Sequence, residues 1–241
     1  MTSGHKTSPD SRSEYSESAV KAPGAGDGFF HVEKTLDLAS FDRQWNRRPL
    51  CGLDEAGRGP LAGPLVAAAV ILEPTADPAE LAGIDDSKKL SPEQRERAFE
   101  VIMKQAQDVS YAVMSPRNVD LLNPLRASLL AMAEAFGRLK EVPGIALVDG
   151  NSKPHLPCRT VTVVKGDSKS LAIAAASVVA KVIRDRIMLE EHLKYPQYGF
   201  DRHKGYGTRD HLAALAQYGP SPVHRLSYRG VKPEAPEETL F

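Results

Sequence analysis

Four acidic residues stand out by type and position. Asp54 and Glu55 close the apolar run that starts at Leu50. Asp149 closes Ile145-Ala146-Leu147-Val148 and is followed by Gly150-Asn151, and Asp167 follows Val161-Thr162-Val163-Val164-Lys165-Gly166. Apolar runs this short read as strands, and strand ends are where an α/β sheet presents functional groups. Carboxylates gathered there repel one another, and a divalent cation would neutralise them. Without His or Cys partners, carboxylate oxygens favour hard ions such as magnesium or manganese. Neighbouring strand residues point to opposite faces, so Asp54 and Glu55 can serve one site only if the strand bends or ends there. Aspartate before glycine is equally a turn former, and spacing alone leaves both readings open.

The elements that must position these acids are of both kinds. Residues 50–54 form a short strand closed by the turn signal Gly57-Arg58-Gly59-Pro60, and residues 63–72 form a second apolar run. The pair reads as a buried hairpin. Residues 109–114, 145–148 and 160–164 read as further strands. Ser91-Pro92-Glu93-Gln94 carries the signature of a helix start, with Ser as N-cap and Gln at the capping-box position. Asn123-Pro124 opens another helix, with Leu125, Leu129, Met132, Phe136 and Leu139 at three- and four-residue spacing. Helices are also expected over about 170–194 and 208–217, and near the start, where Leu36, Leu38 and Phe41 make one packed face. A hairpin followed by strands interleaved with helices predicts a mixed sheet covered on both faces. Residues 1–28 hold hardly any large apolar groups and read as a disordered tail. Residues 29–232 read as one domain, and 233–241 as a flexible tail.

Composition excludes several classes. With 41% hydrophobic and 26% charged residues the chain has the composition expected of a soluble globular protein. No run approaches the roughly 18 apolar residues of a membrane span, and no apolar leader follows Met1. Two cysteines, Cys51 and Cys158, supply no disulfide framework, so a reduced, cytoplasmic protein is expected; the chain is separately read as a monomer. A formal net charge of zero conceals an uneven distribution: residues 165–232 hold twelve Lys and Arg against six Asp and Glu. A basic C-terminal third suits a polyanion, although a solvated charged surface explains it as well. Gly57-Arg58-Gly59 lacks the spacing of a dinucleotide fingerprint, and Lys165-Gly166-Asp167 lacks that of a phosphate loop.

The residues from Gly52 to Pro64, Gly-Leu-Asp-Glu-Ala-Gly-Arg-Gly-Pro-Leu-Ala-Gly-Pro, resemble the signature segment of ribonuclease HII, the type 2 ribonuclease H. The resemblance continues through Asp86-Ser87-Lys88-Lys89-Leu90, Val148-Asp149-Gly150-Asn151 and Val164-Lys165-Gly166-Asp167. It runs on through Ala174 to Lys181 and His203-Lys204-Gly205-Tyr206-Gly207-Thr208. It ends near His224-Arg225-Leu226-Ser227-Tyr228, where the family usually has Phe at the last position. The blocks fall in order over about residues 50–230.

What this resemblance implies is specific. The fold would be α/β of the ribonuclease H type, a five-stranded mixed sheet flanked by helices, with a C-terminal helical region. The four catalytic, metal-binding carboxylates would be Asp54, Glu55, Asp149 and Asp167, with Asp54 bridging two divalent ions, Mn2+ or Mg2+. Two ions about 4 Å apart activate water and stabilise the departing 3′ oxygen. The backbone of Gly57, Arg58 and Gly59 would sense the 2′-hydroxyl that separates RNA from DNA, and Tyr206 would stack on the adjoining deoxyribose. The partners would be RNA–DNA hybrids and duplex DNA bearing single ribonucleotides, cut 5′ to the ribonucleotide. Lys165, Lys169, Lys181, Arg184, Lys204 and Arg209 are candidate phosphate contacts, although Lys181 has Asp185 four residues on as an equally good ion-pair partner. His203, His211 and His224 are read as polar surface or phosphate contacts, because hard-metal chemistry requires no histidine base.

Rivals fare less well. Ribonuclease HIII usually ends its acid set with Glu and carries an extra N-terminal domain, whereas the fourth acid here is Asp167. A binding module without catalysis would not need four mutually repelling carboxylates, and adjacent Asp54-Glu55 cannot span a glycosidic bond. The last residues, Glu237-Glu238-Thr239-Leu240-Phe241, weakly resemble a sliding-clamp-binding peptide.

Overall fold

The computed structural model describes residues 1–2, 25–73, 77 and 79–232, with residues 25–32 described by backbone alone. The elements follow in the order α1 (Ala25–Arg43), β1 (Leu50–Ala56), β2 (Leu65–Leu72), α2 (Pro92–Gln105), β3 (Ala106–Met114), α3 (Pro116–Leu122), α4 (Pro124–Gly137), β4 (Ile145–Asp149), β5 (Arg159–Val163), α5 (Leu171–Lys194), α6 (Phe200–His203) and α7 (Arg209–Tyr218). The five strands form one sheet in the order β3-β2-β1-β4-β5. β1 pairs antiparallel with β2 and parallel with β4, β2 pairs antiparallel with β3, and β4 pairs parallel with β5. This is the mixed, helix-flanked sheet that the pattern predicts.

Local chemistry sets the helix starts. Ser91 Oγ accepts the Gln94 amide at 3.2 Å while Gln94 Oε1 accepts the Ser91 amide at 2.8 Å, closing the capping box ahead of α2. Asn123 caps α4 through Oδ1, and Ser170 caps α5 by accepting the amide of Ile173. α3 was not expected: it buries only Val119 and so lacks apolar periodicity.

Two apolar layers sandwich the sheet. On one face Val66, Ala68 and Val70 of β2 meet Leu38, Ala98, Ile102 and the first turns of α5. On the other, Cys51 and Leu53 of β1 meet Ala131, Met132, Ala135 and Phe136 of α4. Two side chains expected in packed faces are solvent-exposed, Leu36 and Leu125. At about 100° per residue, Leu36 lies across the helix from Leu38, and α4 turns its small residues Ala127, Ser128 and Ala131 to the sheet in place of Leu125. α1 starts at Ala25, so it takes in the last four residues of the stretch read as a tail. Residues 3–24 and 233–241 lie outside the described residues. Among the described residues no helix is long and apolar enough to cross a membrane.

The C-terminal region forms its own small core, in which Ala62 and Met188 join Tyr198, Phe200, Ala214, Leu215 and Val231. His211 and His224, expected at the surface, are 0% and 3% exposed. They are buried because their ring nitrogens find partners inside: His211 Nε2 lies 3.0 Å from His224 Nε2, and His224 Nδ1 accepts the Ser221 amide at 2.9 Å. Burial, reinforced by the neighbouring His211, pushes the His224 pKa down from 6.5 to about 4. A depressed folded-state pKa stabilises the protein above the unfolded value, and that contribution disappears as pH falls through the folded value. His224→Gln should therefore cost most stability above about pH 6.5, and the gap in melting temperature from the parent should narrow as pH falls toward 4. A gap independent of pH across that window would refute the neutral assignment.

Candidate active site

The strand register brings the first two acids together. Leu50 pairs with Ile145 and the alignment continues to Leu53 with Val148, so Asp54 and Asp149 come next on adjacent parallel strands. Side chains at matched positions of parallel strands share a face, here the one packed by α5. Asp167 lies beyond β5, in a single helical turn spanning Gly166–Ser168, rather than at the strand end itself. What carries it inward is the seating of α5 on β1. A Cβ at Gly52 would overlap the backbone of Ala172 and Ile173, so only glycine lets the helix start lie directly on the strand, two residues before Asp54.

One oxygen from each of Asp54, Asp149 and Asp167 lies within 4.8 Å of the others. Each aspartate also has an anchored oxygen: Asp54 Oδ1 accepts the Glu55 amide at 2.7 Å, and Asp149 Oδ1 accepts the Gly166 amide at 2.7 Å. Lys88 Nζ reaches Asp167 Oδ2 at 3.0 Å. Burial works to lower the Lys88 pKa, but the hydrogen bond and charge of Asp167, with the charges of Asp54 and Asp86, outweigh it and raise the pKa.

Unit charges this close repel by about 3.5 kcal/mol at the dielectric typical of a protein surface. Three such pairs sum to about 10 kcal/mol, as large as the whole net stability of a domain. The most buried acid responds accordingly. Burial first, then the charges of Glu55 and Asp149, raise the Asp54 pKa well above its ordinary value. An all-oxygen, over-acidic, pre-anchored donor set fits a hard divalent cation, and Asp54, Asp149 and Asp167 are the residues that would hold it.

Glu55 is not brought into this group. β1 runs on past Asp54 to Ala56, still paired with β2, so the strand neither bends nor ends between the two acids. Glu55 therefore turns toward the α4 face. Burial raises its pKa, opposed by the charge of Arg58 and a hydrogen bond from Ser128, and Arg58 Nη1 stands 3.3 Å from its Oε1. Its charge still reaches Asp54.

Directly after Glu55 comes the Gly57–Gly59 turn, whose shape two buried arginines impose. Arg225 donates to the carbonyl oxygens of Gly57 at 2.6 Å, Arg58 at 3.1 Å and Gly63 at 2.9 Å. Arg184 donates to Pro64 at 3.0 Å and Ala62 at 3.1 Å. Tyr228 Oη adds a 2.6 Å bond to the Arg58 carbonyl oxygen. The carbonyls are thus drawn inward, and the amides of Arg58 and Gly59 have no partner among the described residues. Gly57, at φ +100°, leaves the space that the Arg184 side chain fills. The ring of Tyr206, 46% exposed, faces the turn, 4.0 Å from where a Gly59 Cβ would sit.

The basic candidates separate. Lys165, Lys169 and Arg209 are exposed. Lys181 is tied to Asp185 at 2.7 Å, the ion pair its spacing allows. Arg184 is fully buried, which corrects its reading as a phosphate contact, because the turn carbonyls claim it first. Lys88, Arg225 and Tyr228 carry no role in the sequence reading, although all three stand in its matched blocks; only their placement against Asp167 and the turn reveals what they do.

Comparison with known proteins gives consistent matches. The Ribonuclease HII family model matches residues 51–231. Ribonuclease HII of Syntrophotalea carbinolica is 52% identical over 190 residues, covering 79% of this chain and 89% of its own. That of Geobacter sulfurreducens is 51% identical over 185 residues, covering 77% and 84%. Among solved structures, ribonuclease H2 from Pyrococcus horikoshii superposes with a TM-score of 0.64 at 26% identity, covering 76% of this chain and 94% of its own. The PCNA:RNase HII complex from Archaeoglobus fulgidus gives 0.62 at 31% identity, covering 75% and 95%.

Proposed function

Since this chain belongs to the ribonuclease HII family, and is accordingly a metal-dependent ribonuclease of the H type, we propose that it hydrolyses the phosphodiester 5′ to a ribonucleotide, in RNA–DNA hybrids and at single ribonucleotides within duplex DNA. The products carry 3′-hydroxyl and 5′-phosphate ends, which suits ribonucleotide removal from DNA and degradation of RNA primers. The observation that carries the reading is the convergence of Asp54, Asp149 and Asp167 within 4.8 Å at the foot of a turn faced by Tyr206.

Asp54, Asp149 and Asp167 would hold the divalent ions, Mn2+ or Mg2+, with the charge of Glu55 nearby. When bound, those ions supply the charge that makes water a better nucleophile and offsets the charge growing on the departing 3′ oxygen. The rest is done by the chain itself. The outward amides of Arg58 and Gly59 donate to the 2′-hydroxyl oxygen, a group DNA lacks. Tyr206 stacks on the sugar 3′ of the ribonucleotide, and the exposed Lys165 and Lys169 meet backbone phosphates without reading sequence. The tail Glu237–Phe241 lies outside the described residues; its Leu-Phe ending, together with the PCNA complex of a 31% identical relative, supports a sliding-clamp contact.

A DNA duplex with one internal ribonucleotide, supplied with magnesium or manganese, tests the central claim: incision 5′ to the ribonucleotide is expected, and none with either ion would sink it. Asp54→Asn should lower the rate at least about a hundredfold, as expected when charge stabilisation is lost, with duplex affinity in a gel-shift assay nearly unchanged. For Tyr206→Ala, kcat/KM should fall about tenfold more on the single-ribonucleotide duplex than on a long hybrid, the scale of losing one stacking contact; equal loss would remove Tyr206 from this role. A chain truncated after Pro236 should lose retention on immobilised clamp, and undiminished retention would exclude the tail.

A further inference from the structure

The buried histidines end on Tyr206, and their hydrogen bonds can be directed one at a time. The Ser221 amide can only donate, so His224 Nδ1 accepts it at 2.9 Å, and the Ser221 hydroxyl shares that nitrogen at 2.8 Å. The His224 proton therefore sits on Nε2, where it donates to His211 Nε2 at 3.0 Å. The His211 proton then sits on Nδ1 and donates to the Tyr206 carbonyl oxygen at 2.9 Å. The relay runs in one direction, from the Ser221 peptide to the Tyr206 peptide. His203 braces it, stacked on His211 with ring centroids 4.5 Å apart. The Gly205 amide donates to His203 Nδ1 at 3.2 Å, and His203 Nε2 accordingly donates to the Tyr198 carbonyl oxygen at 2.7 Å.

The backbone around Tyr206 is held on every side. Its amide donates to the His203 carbonyl oxygen at 2.9 Å, its own carbonyl also receives the Thr208 amide at 2.8 Å, and the Gly205 carbonyl receives the Leu61 and Ala62 amides at 2.9 and 3.3 Å. The ring, half-exposed opposite Gly59, has the Arg184 guanidinium and the Lys181 ammonium 5.8 and 6.0 Å from its centroid. Apolar residues would fill the same volume at less desolvation cost, but could not direct a donor at this carbonyl.

We propose that His211 and His224 are positioning residues for substrate selection: as a neutral, directed pair they fix the Tyr206 peptide and thereby the stance of its ring against the sugar 3′ of the ribonucleotide. The inference rests on the Tyr206 reading given above and adds to it the device that aims the ring. No reacting atom touches either histidine; they act through Tyr206.

The test measures kcat/KM on the single-ribonucleotide duplex and on a long hybrid, at a pH well above the imidazole range, and takes their ratio. His211→Leu should lower this ratio about tenfold, within the cost of a roughly ångström-scale misplacement. His211→Asn, whose Nδ2 stands where Nδ1 stood and can donate to the same carbonyl, should restore most of it. On a Tyr206→Ala background neither change should move the ratio further, because coupled residues do not add. If His211→Leu does not fold, His224→Asn breaks the relay one step earlier while keeping an acceptor for the Ser221 amide, and the same fall in the ratio is expected. A Tyr206→Ala effect without any effect of His211→Leu or His224→Asn would overturn the relay alone. Additive losses on the Tyr206→Ala background would do so too, leaving the histidines as packing. An unchanged ratio in Tyr206→Ala itself would overturn both this inference and the reading beneath it.

Discussion

The site depends on one close approach, that of the start of α5 to the backbone of β1 at Gly52. Because the helix begins against the strand, the turn that precedes it packs against β4, and Asp167 comes within 4.8 Å of Asp54 and Asp149. The seating is reinforced from outside the sheet. Asp42 of α1 accepts the Ala172 amide at 2.9 Å, and burial, opposed by hydrogen bonds from Ser170 and Ala172, raises its pKa to about 6. A carboxylate at a helix N-terminus offsets the partial positive charge there. Any side chain at position 52 would lift the helix and separate the acids.

That approach concentrates negative charge that the apolar core cannot relieve, and the surroundings are arranged around the excess. Lys88 reaches across from the loop before α2 to Asp167, Lys89 bonds Ser168 at 3.2 Å, and Ser87 bonds Ser177 at 2.7 Å. The loop thus brings two lysines against the segment that carries Asp167. Its cationic ends and the raised Asp54 pKa are two responses to one cost, and cation binding supplies a third.

The second constraint is the inward capture of the turn carbonyls. Arg184 comes from the middle of α5 and Arg225 from beyond α7, yet both end on a span of eight residues after β1. This makes the C-terminal region more than an appendage: α5, the Gly57–Pro64 turn and the His203–Gly207 loop are joined by Arg184, Arg225 and the Gly205 carbonyl. The basic third of the chain divides accordingly, with its guanidinium groups at 184 and 225 spent inside and Lys165, Lys169 and Arg209 left at the surface.

The strands, the capping box at Ser91 and the hairpin were legible because each depends on residues close in sequence: apolar runs, a cap and its partner three residues on, glycines at a turn. Asp54, Asp149 and Asp167 stood out for the same reason, as acids following short apolar runs; spacing left them equally good turn formers, and the motif blocks gave them a family. What distinguishes Glu55 from Asp54 was not legible, because adjacent residues differ only in the face they meet, and the continued pairing of β1 with β2 decides that. Nor were the fates of Arg184, His211 and His224, polar residues whose burial depends on carbonyls and rings brought near from distant positions. The sequence by itself determined which chemical groups exist and which short elements carry them, since propensity and periodicity are local. Only the tertiary structure decided which groups face one another, because register, helix seating and the satisfaction of buried donors are settled between segments far apart in the chain.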